Sequence, residues 1–151
     1  MRFAPGDLGD PRVVELLTIH VTHARASSPP GTSFALDLTG LRAPGVQLWT
    51  SWDGDLLVAT GALKQLAPDH AEVKSMHVAA AARGRGAGSA MLRHLLDLAR
   101  AAGATRVSLE TGTSPYFATA AAMYRKHGFT ACGPFGDYSP SEDNLFLSRA
   151  L

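Results

Sequence analysis

Cysteine is almost missing from this chain: among 151 residues only Cys132 carries a thiol. A single thiol closes no internal disulfide and suits a reducing compartment. Long apolar runs are missing too. No stretch approaches the roughly 18 apolar residues of a membrane-spanning helix. The opening MRFAPGDLGDP holds Pro, Gly and two Asp where a secretory signal needs an apolar core. Neither sign of charge is in excess, with 14 Lys and Arg against 13 Asp and Glu and a formal net charge of +1. That balance supplies no bulk attraction to nucleic acid or to an anionic membrane, so neither is expected as a partner. Internal repeats and long polar linkers are also lacking. The expectation is one cytoplasmic domain spanning residues 1–151. Hydrophobic residues at 46% and charged residues at 18% suit a globular chain with one core.

The periodicity of what is present changes along the chain. Asp10-Pro11 is a helix start, because aspartate accepts from free N–H groups and proline suits the first turn. Val13, Val14, Leu17 and Val21 keep helical spacing until Ser27-Ser28-Pro29-Pro30-Gly31 breaks the ladder. A short second helix is expected over 34–41. Val46, Leu48, Thr50 and Trp52 then alternate with polar neighbours, and Asp53-Gly54 follows as a hairpin turn. Strands over 56–66 and 71–78 complete an antiparallel meander. A glycine loop leads into a helix over 89–102, whose Met91, Leu92, Leu95, Leu96 and Ala99 form one apolar stripe. Gly103 ends it. A strand over 105–109, a helix over 115–127 closed by Gly128, and strands over 129–132 and 144–147 complete the chain. The order is β-α-α-β-β-β-α-β-α-β-β. It describes an α/β (α+β) protein with a mixed, mostly antiparallel sheet of about seven strands flanked by about four helices.

Arg83-Gly84-Arg85-Gly86-Ala87-Gly88 is the most informative segment. Glycines between a strand and a helix start let backbone N–H groups converge on an anion, and the helix dipole favours negative charge there. Two arginines add charge-assisted contacts to phosphate. The GxxxxGK[ST] pattern is absent, and the third glycine comes one residue too early for a dinucleotide fingerprint. Glu110, 22 residues after Gly88, imitates a ribose-binding acid. The antiparallel meander argues against that class, which needs repeated βαβ units.

Arg83-x-x-Gly86-x-Gly88 resembles the (Q/R)xxGx(G/A) pyrophosphate loop of the GNAT N-acetyltransferases. Met123-Tyr124-Arg125-Lys126-His127-Gly128-Phe129 resembles their second hallmark, a helix ending in (L/F)Y-x-x-x-GF. The order of elements agrees over nearly the whole chain. Arg25-Ala26-Ser27-Ser28-Pro29-Pro30, Ala35-Leu36-Asp37, Gly61-Ala62-Leu63-Lys64, Glu72-Val73-Lys74-Ser75-Met76 and Gly133-Pro134-Phe135-Gly136-Asp137-Tyr138 are similar to the YsnE-type bacterial subgroup.

The resemblance implies acetyl-CoA as co-substrate, no metal, and transfer of acetyl to an amine without a covalent intermediate. It implies that Arg83, Gly84, Arg85, Gly86, Ala87, Gly88 and Ser89 hold the pyrophosphate. Backbone groups of Met76, His77 and Val78 hold the pantetheine arm, with an N–H near Met76 facing the acetyl carbonyl. Tyr124 matches the tyrosine that protonates the departing thiolate. Glu72, eleven residues before Arg83, and Glu110, at the end of the next strand, are the rival general bases. Strict alternation sets Glu72 with Lys74, Met76 and Val78 and turns His77, the third choice, to the other face. Phe117 stands seven residues before Tyr124, where many relatives carry a cofactor-contacting asparagine. Arg25, Phe135 and Tyr138, with Trp49 and Trp52, are expected around the acceptor, a small-molecule amine. Protein or peptide amines, a non-catalytic acyl-CoA-binding module, and homodimerisation stay open. His20 and His23 lack a third ligand for a metal, and Cys132 is expected as buried packing.

Overall fold

Asp10 and Pro11 start the first helix. In the computed structural model, which describes residues 1–151, α1 runs over Pro11–Ala26 and the Asp10 carboxylate accepts from the Arg12 N–H at 2.9 Å. The expected second helix shrinks to one turn, α2 at Leu38–Leu41. Its start is fixed by Asp37, whose side chain accepts from the Gly40 N–H at 2.8 Å, so residues 34–37 lie outside it. The meander forms as expected. β1 (Arg2–Pro5), β2 (Val46–Asp53), β3 (Leu56–Ala67) and β4 (His70–Val78) pair antiparallel in sequence order, and Gly54 turns at φ 58°. The helix α3 covers Ala87–Ala101 and is followed by β5 at Arg106–Gly112, parallel to β4. A 3₁₀ turn at Pro115–Phe117 precedes α4 at Ala118–Lys126. The last strands are β6 (Thr130–Ala131) and β7 (Asn144–Ala150), giving one seven-stranded sheet in the order β1-β2-β3-β4-β5-β7-β6.

Each face of the sheet has its own core. The α3 stripe of Met91, Leu92, Leu95, Leu96 and Ala99 is sealed against Ala59, Val73, Val107 and Leu109, with Tyr124 and Phe129 closing the side. Full burial of such side chains stabilises by about 1.5–3 kcal/mol each. On the opposite face Val13, Leu16 and Leu17 of α1 pack on Leu48, Trp52, Leu57 and Ala62.

Two irregularities in β4 set up everything that follows. The first is a bulge. Thr60 and Ala62 of β3 face His77 and Lys74 of β4, so β4 carries one extra residue. Ser75 supplies it with φ 55°, and the Thr60 hydroxyl donates to the Ser75 carbonyl at 3.0 Å. Positive φ is unusual for a serine and costs of the order of 1–2 kcal/mol. The extra residue reverses the alternation. Val73, Met76 and Val78 pack towards α3, whereas His77 meets His20 of α1. The expected grouping of Glu72 and Lys74 with Met76, and of His77 with the opposite face, is therefore corrected.

The second irregularity is a splay. Pairing of β4 with β5 covers only His70↔Arg106, Ala71↔Val107 and Glu72↔Ser108. Beyond these residues the two parallel strands run on without pairing to each other, to Val78 and Gly112.

The seat of α3 on the sheet depends on a missing side chain. A Cβ on Gly61 would lie 2.8 Å from Met91 Cγ, 2.9 Å from Leu95 Cδ1 and 3.0 Å from Met76 Sδ. Gly61→Val is expected to lower the stability by about 1–3 kcal/mol through overpacking, although valine suits strands. Urea unfolding checks this, and an unchanged midpoint would refute the close seating of α3.

Candidate active site

Where β4 and β5 part, the protein opens a cleft of about 520 Å³. One end is built by the glycine loop. Gly84 and Gly86 both sit at φ 77°, and Gly86 caps the N-terminus of α3. The first-turn N–H groups of α3, at Ala87, Gly88 and Ser89, have no acceptor within the helix and stand at its positive dipole end. Gly88 serves a different purpose. Its missing Cβ would come within 3.2 Å of Met123 Sδ and 3.4 Å of Val78 Cγ2, so glycine lets α3 close on α4 and β4. Arg83, Gly84, Gly86, Ala87, Gly88 and Ser89 line the cleft, and Met76, His77 and Val78 continue the lining along β4. Arg85 does not. The left-handed glycines on either side turn the loop so that Arg85 is exposed outside the lining.

The other end gathers Tyr124 from α4, Glu110 from β5, Lys74 and His77 from β4, and His20 from α1. Tyr124 is 6% exposed, with its ring edge-on to Phe129 at 5.9 Å. Burial pushes its phenol pKa up, and the Glu110 charge pushes it further. Glu110 is half-buried and accepts from Asn144 Nδ2 at 2.8 Å. Burial raises its carboxyl pKa above the usual value, against the lowering by Asn144 and Lys74. Phe117 lines the middle of the cleft with its ring laid over Gly112, where a Cβ would not fit.

Several expected site residues stand elsewhere. Glu72 is only 1% exposed and outside the lining. Its Oε2 accepts from the Tyr138 hydroxyl at 2.5 Å and from Lys74 Nζ at 3.3 Å, so the carboxylate is engaged by two side chains. Tyr138 is spent on that contact, its ring packed against Phe34, Phe135 and Phe146. Phe135 packs on Phe146 and His70, also outside the lining. Arg25 is exposed in the last turn of α1, where a cation suits the helix dipole. Trp52 is buried with Nε1 donating to Thr50 Oγ1 at 2.9 Å, and Trp49 packs edge-on to His94 at 4.6 Å. Cys132 is exposed, not buried, because β6 is a two-residue strand at the sheet edge.

Residues 13–129 match the model of the acetyltransferase (GNAT) family. The chain belongs to that family. It is an N-acetyltransferase with acetyl-CoA as co-substrate. The chain is 43% identical over 145 residues to the uncharacterized N-acetyltransferase YedL of Escherichia coli (strain K12), covering 96% of this chain and 91% of that protein. Identity to the uncharacterized N-acetyltransferase YsnE of Bacillus subtilis (strain 168) is 37%, covering 96% of each. Among solved structures, an acetyltransferase of Bacillus subtilis in complex with CoA shares the fold, with TM-score 0.74 over 99% of this chain and 98% of that one at 18% identity.

Among the lining residues of this acetyltransferase that sequence reasoning missed are Lys74 and His20. Register hid the second of them. The bulge at Ser75 brings His77 to the α1 face, where its Nδ1 lies 3.2 Å from His20 Nδ1. Spacing had grouped His20 with His23 instead, but His23 is exposed, its ring 6.4 Å from His77 and 6.1 Å from Tyr116. No three His, Cys, Asp or Glu side chains are grouped to hold a metal ion. Burial, with a smaller contribution from neighbouring charges, holds both His20 and His77 down to about 4. Both imidazoles are thus neutral near pH 7, sharing one proton along the Nδ1–Nδ1 contact.

A stability prediction follows from these two histidines. Their folded pKa values lie below the ordinary 6.5, so the unfolded chain binds more protons between pH 6.5 and about 4. Their contribution is complete above pH 6.5 and is lost as pH falls through that window, by at most about 1.4 kcal/mol per pH unit for each ring. The double variant His20→Asn/His77→Asn is expected to flatten this acid slope in urea melts at pH 4.5 to 6.5. A slope equal to that of the parent would refute the paired neutral state.

Proposed function

We propose that this enzyme moves an acetyl group from acetyl-CoA to the primary amine of a small molecule, by direct attack and through a tetrahedral intermediate. The observation that carries the reading is continuity: one cleft runs from the open N–H groups of α3, through the parting of β4 and β5, to Tyr124 and Glu110. The diphosphate suits residues 83–89, with Arg83 as cation and glycine loop and helix dipole as anion cradle. The unpaired part of β4 offers backbone groups to the pantetheine amides. An N–H there facing the acetyl oxygen would stabilise the developing oxyanion, worth roughly 3 kcal/mol in comparable sites.

Glu110 takes one proton from the incoming ammonium, freeing its lone pair. The nitrogen attacks the thioester carbonyl carbon. The C–S bond then breaks, and Tyr124 gives its proton to the departing thiolate. The second proton shed by nitrogen restores the phenol. The two groups are coupled in a useful sense. The ionised Glu110 disfavours a phenolate on Tyr124. Once Glu110 has accepted the amine's proton that repulsion is gone, and the phenol becomes the stronger acid when the thiolate needs it.

A small acceptor fits the wall at the reactive end. Residues 27–37 are pinned by Asn144 Nδ2 donating to the Thr32 carbonyl at 2.8 Å and by Ser114 Oγ donating to the Ser27 carbonyl at 2.7 Å. Residues 32–35 form part of the cleft lining. A tethered wall leaves less room for a polypeptide than an open groove would.

Tyr124→Phe is expected to cut kcat by about 100-fold or more, with acetyl-CoA affinity nearly unchanged. Unaltered turnover would remove Tyr124 from the acid role. Gly86→Asp should instead raise the KM for acetyl-CoA, because the substitution strains a backbone at φ 77° and sets an anion against the diphosphate. In pH–rate profiles kcat/KM should fall as acid protonates Glu110, with a midpoint above the ordinary 4.5. Glu110→Gln should abolish that limb together with most of the rate. A limb that survives the substitution belongs to another group.

A further inference from the structure

Lys74 has no part in the chemistry above, yet it stands where the acceptor must lie. Its ammonium is held from behind. Nζ donates to the Tyr138 hydroxyl at 2.8 Å and to Glu72 Oε2 at 3.3 Å. The side chain is 8% exposed and Glu72 2%, so the group is buried among fixed partners. An ammonium has three N–H donors. Two are used, and Lys74 lines the cleft.

Position adds to this. Glu72 and Ser108 are the last paired residues of β4 and β5. Lys74 and Glu110 each come two residues later, on the same face, so they flank the mouth of the parting strands from opposite sides. They are close enough for the Lys74 charge to act on the Glu110 carboxyl. Across that mouth a cation and a carboxylate line one cleft without forming an ion pair with each other. Residues 33–35 add unpaired backbone donors to the same cleft. Ser33, Phe34 and Ala35 line the cleft, and their backbone N–H groups make no backbone hydrogen bond.

We propose that the acceptor carries a carboxylate close to its amine, as an α-amino acid or short amino-carboxylate does, and that Lys74 reads this carboxylate while Glu110 faces the amine. The inference rests on the acetyltransferase reading of the cleft and names its substrate class. Opposite charges side by side on the protein match opposite charges a few bonds apart on the ligand. A simple alkylamine would satisfy Glu110 and leave the third Lys74 donor without an acceptor, in a place water reaches poorly. Glu72 and Tyr138 act as positioning residues, since they hold the ammonium without reaching the acceptor.

The test compares acceptors in matched pairs, each an α-amino acid with its methyl ester and its decarboxylated amine, at fixed acetyl-CoA, by thiol release. The expected result is a kcat/KM for the best amino acid about 10- to 100-fold above its ester and amine. Lys74→Met should reduce that ratio to near one, mainly through KM for the amino acid, while acetyl-CoA still raises the melting temperature of the variant. The double variant Lys74→Met/Glu72→Gln serves if the buried carboxylate left by the single change prevents folding, and the parent's acceptor ratio needs no variant. Equal or better use of ester and amine by the parent would overturn the inference and leave the acetyltransferase reading standing. So would a ratio that survives the loss of Lys74. Absence of thiol release from every acceptor would overturn the inference together with the reading beneath it.

Discussion

The cleft exists because β4 stops obeying the ladder. Up to Glu72 it is an ordinary strand, hydrogen-bonded on both sides. Beyond Glu72 it leaves its parallel neighbour and exposes backbone groups along that edge, and at Ser75 it carries an extra residue. A sheet interior normally tolerates no such edge, since unpaired buried amides are costly. Here the edge lines a cavity, where the pantetheine arm is proposed to pair with it. The strain at Ser75 and the missing strand pairs are thus two aspects of one feature, a site kept open at the expense of sheet regularity. Removing the bulge would also reverse the alternation, returning His77 to the α3 core and Met76 to the slot.

Both cores serve this arrangement. The α3 stripe anchors the helix whose first turn lines the cleft, and Gly61 and Gly88 let it sit close to β3 and α4. On the other face α1 delivers His20 to the slot while Val13, Leu16 and Leu17 hold the helix down. The polar groups of the reactive end hang from four different elements, and their relative positions depend on this packing.

Much of this was legible in residue order. Asp10-Pro11, Asp53-Gly54, the α3 stripe and Gly128 are local signals, and local chemistry decided those elements. The glycine loop and Tyr124 were legible because their spacing is tight and their residue types specific. What could not be read was set by tertiary pairing. Nothing around Ser75 announces a left-handed residue, since serine neither requires nor usually adopts it, so every side-chain direction after it was inverted. Glu72 looked like a base because its position is suggestive; only the folded chain shows Tyr138, 66 residues later, donating to it. Arg25, Phe135, Trp49 and Trp52 were assigned to the acceptor by type, and each found a solvent, core or edge position instead. The reach of α2 was overestimated because Asp37 caps the chain late.

The contact between Tyr138 and Lys74 links the cleft to the surface segment between β6 and β7. That segment is largely exposed, contains no regular element, and reaches inward through Tyr138. Changes in its length or sequence would tilt or withdraw the hydroxyl that steadies the buried ammonium, without disturbing the glycine loop or the Tyr124 phenol, which belong to other elements. On the acceptor role proposed for Lys74, related chains could diverge in acceptor choice by remodelling one external connection, with donor use and chemistry passed on intact.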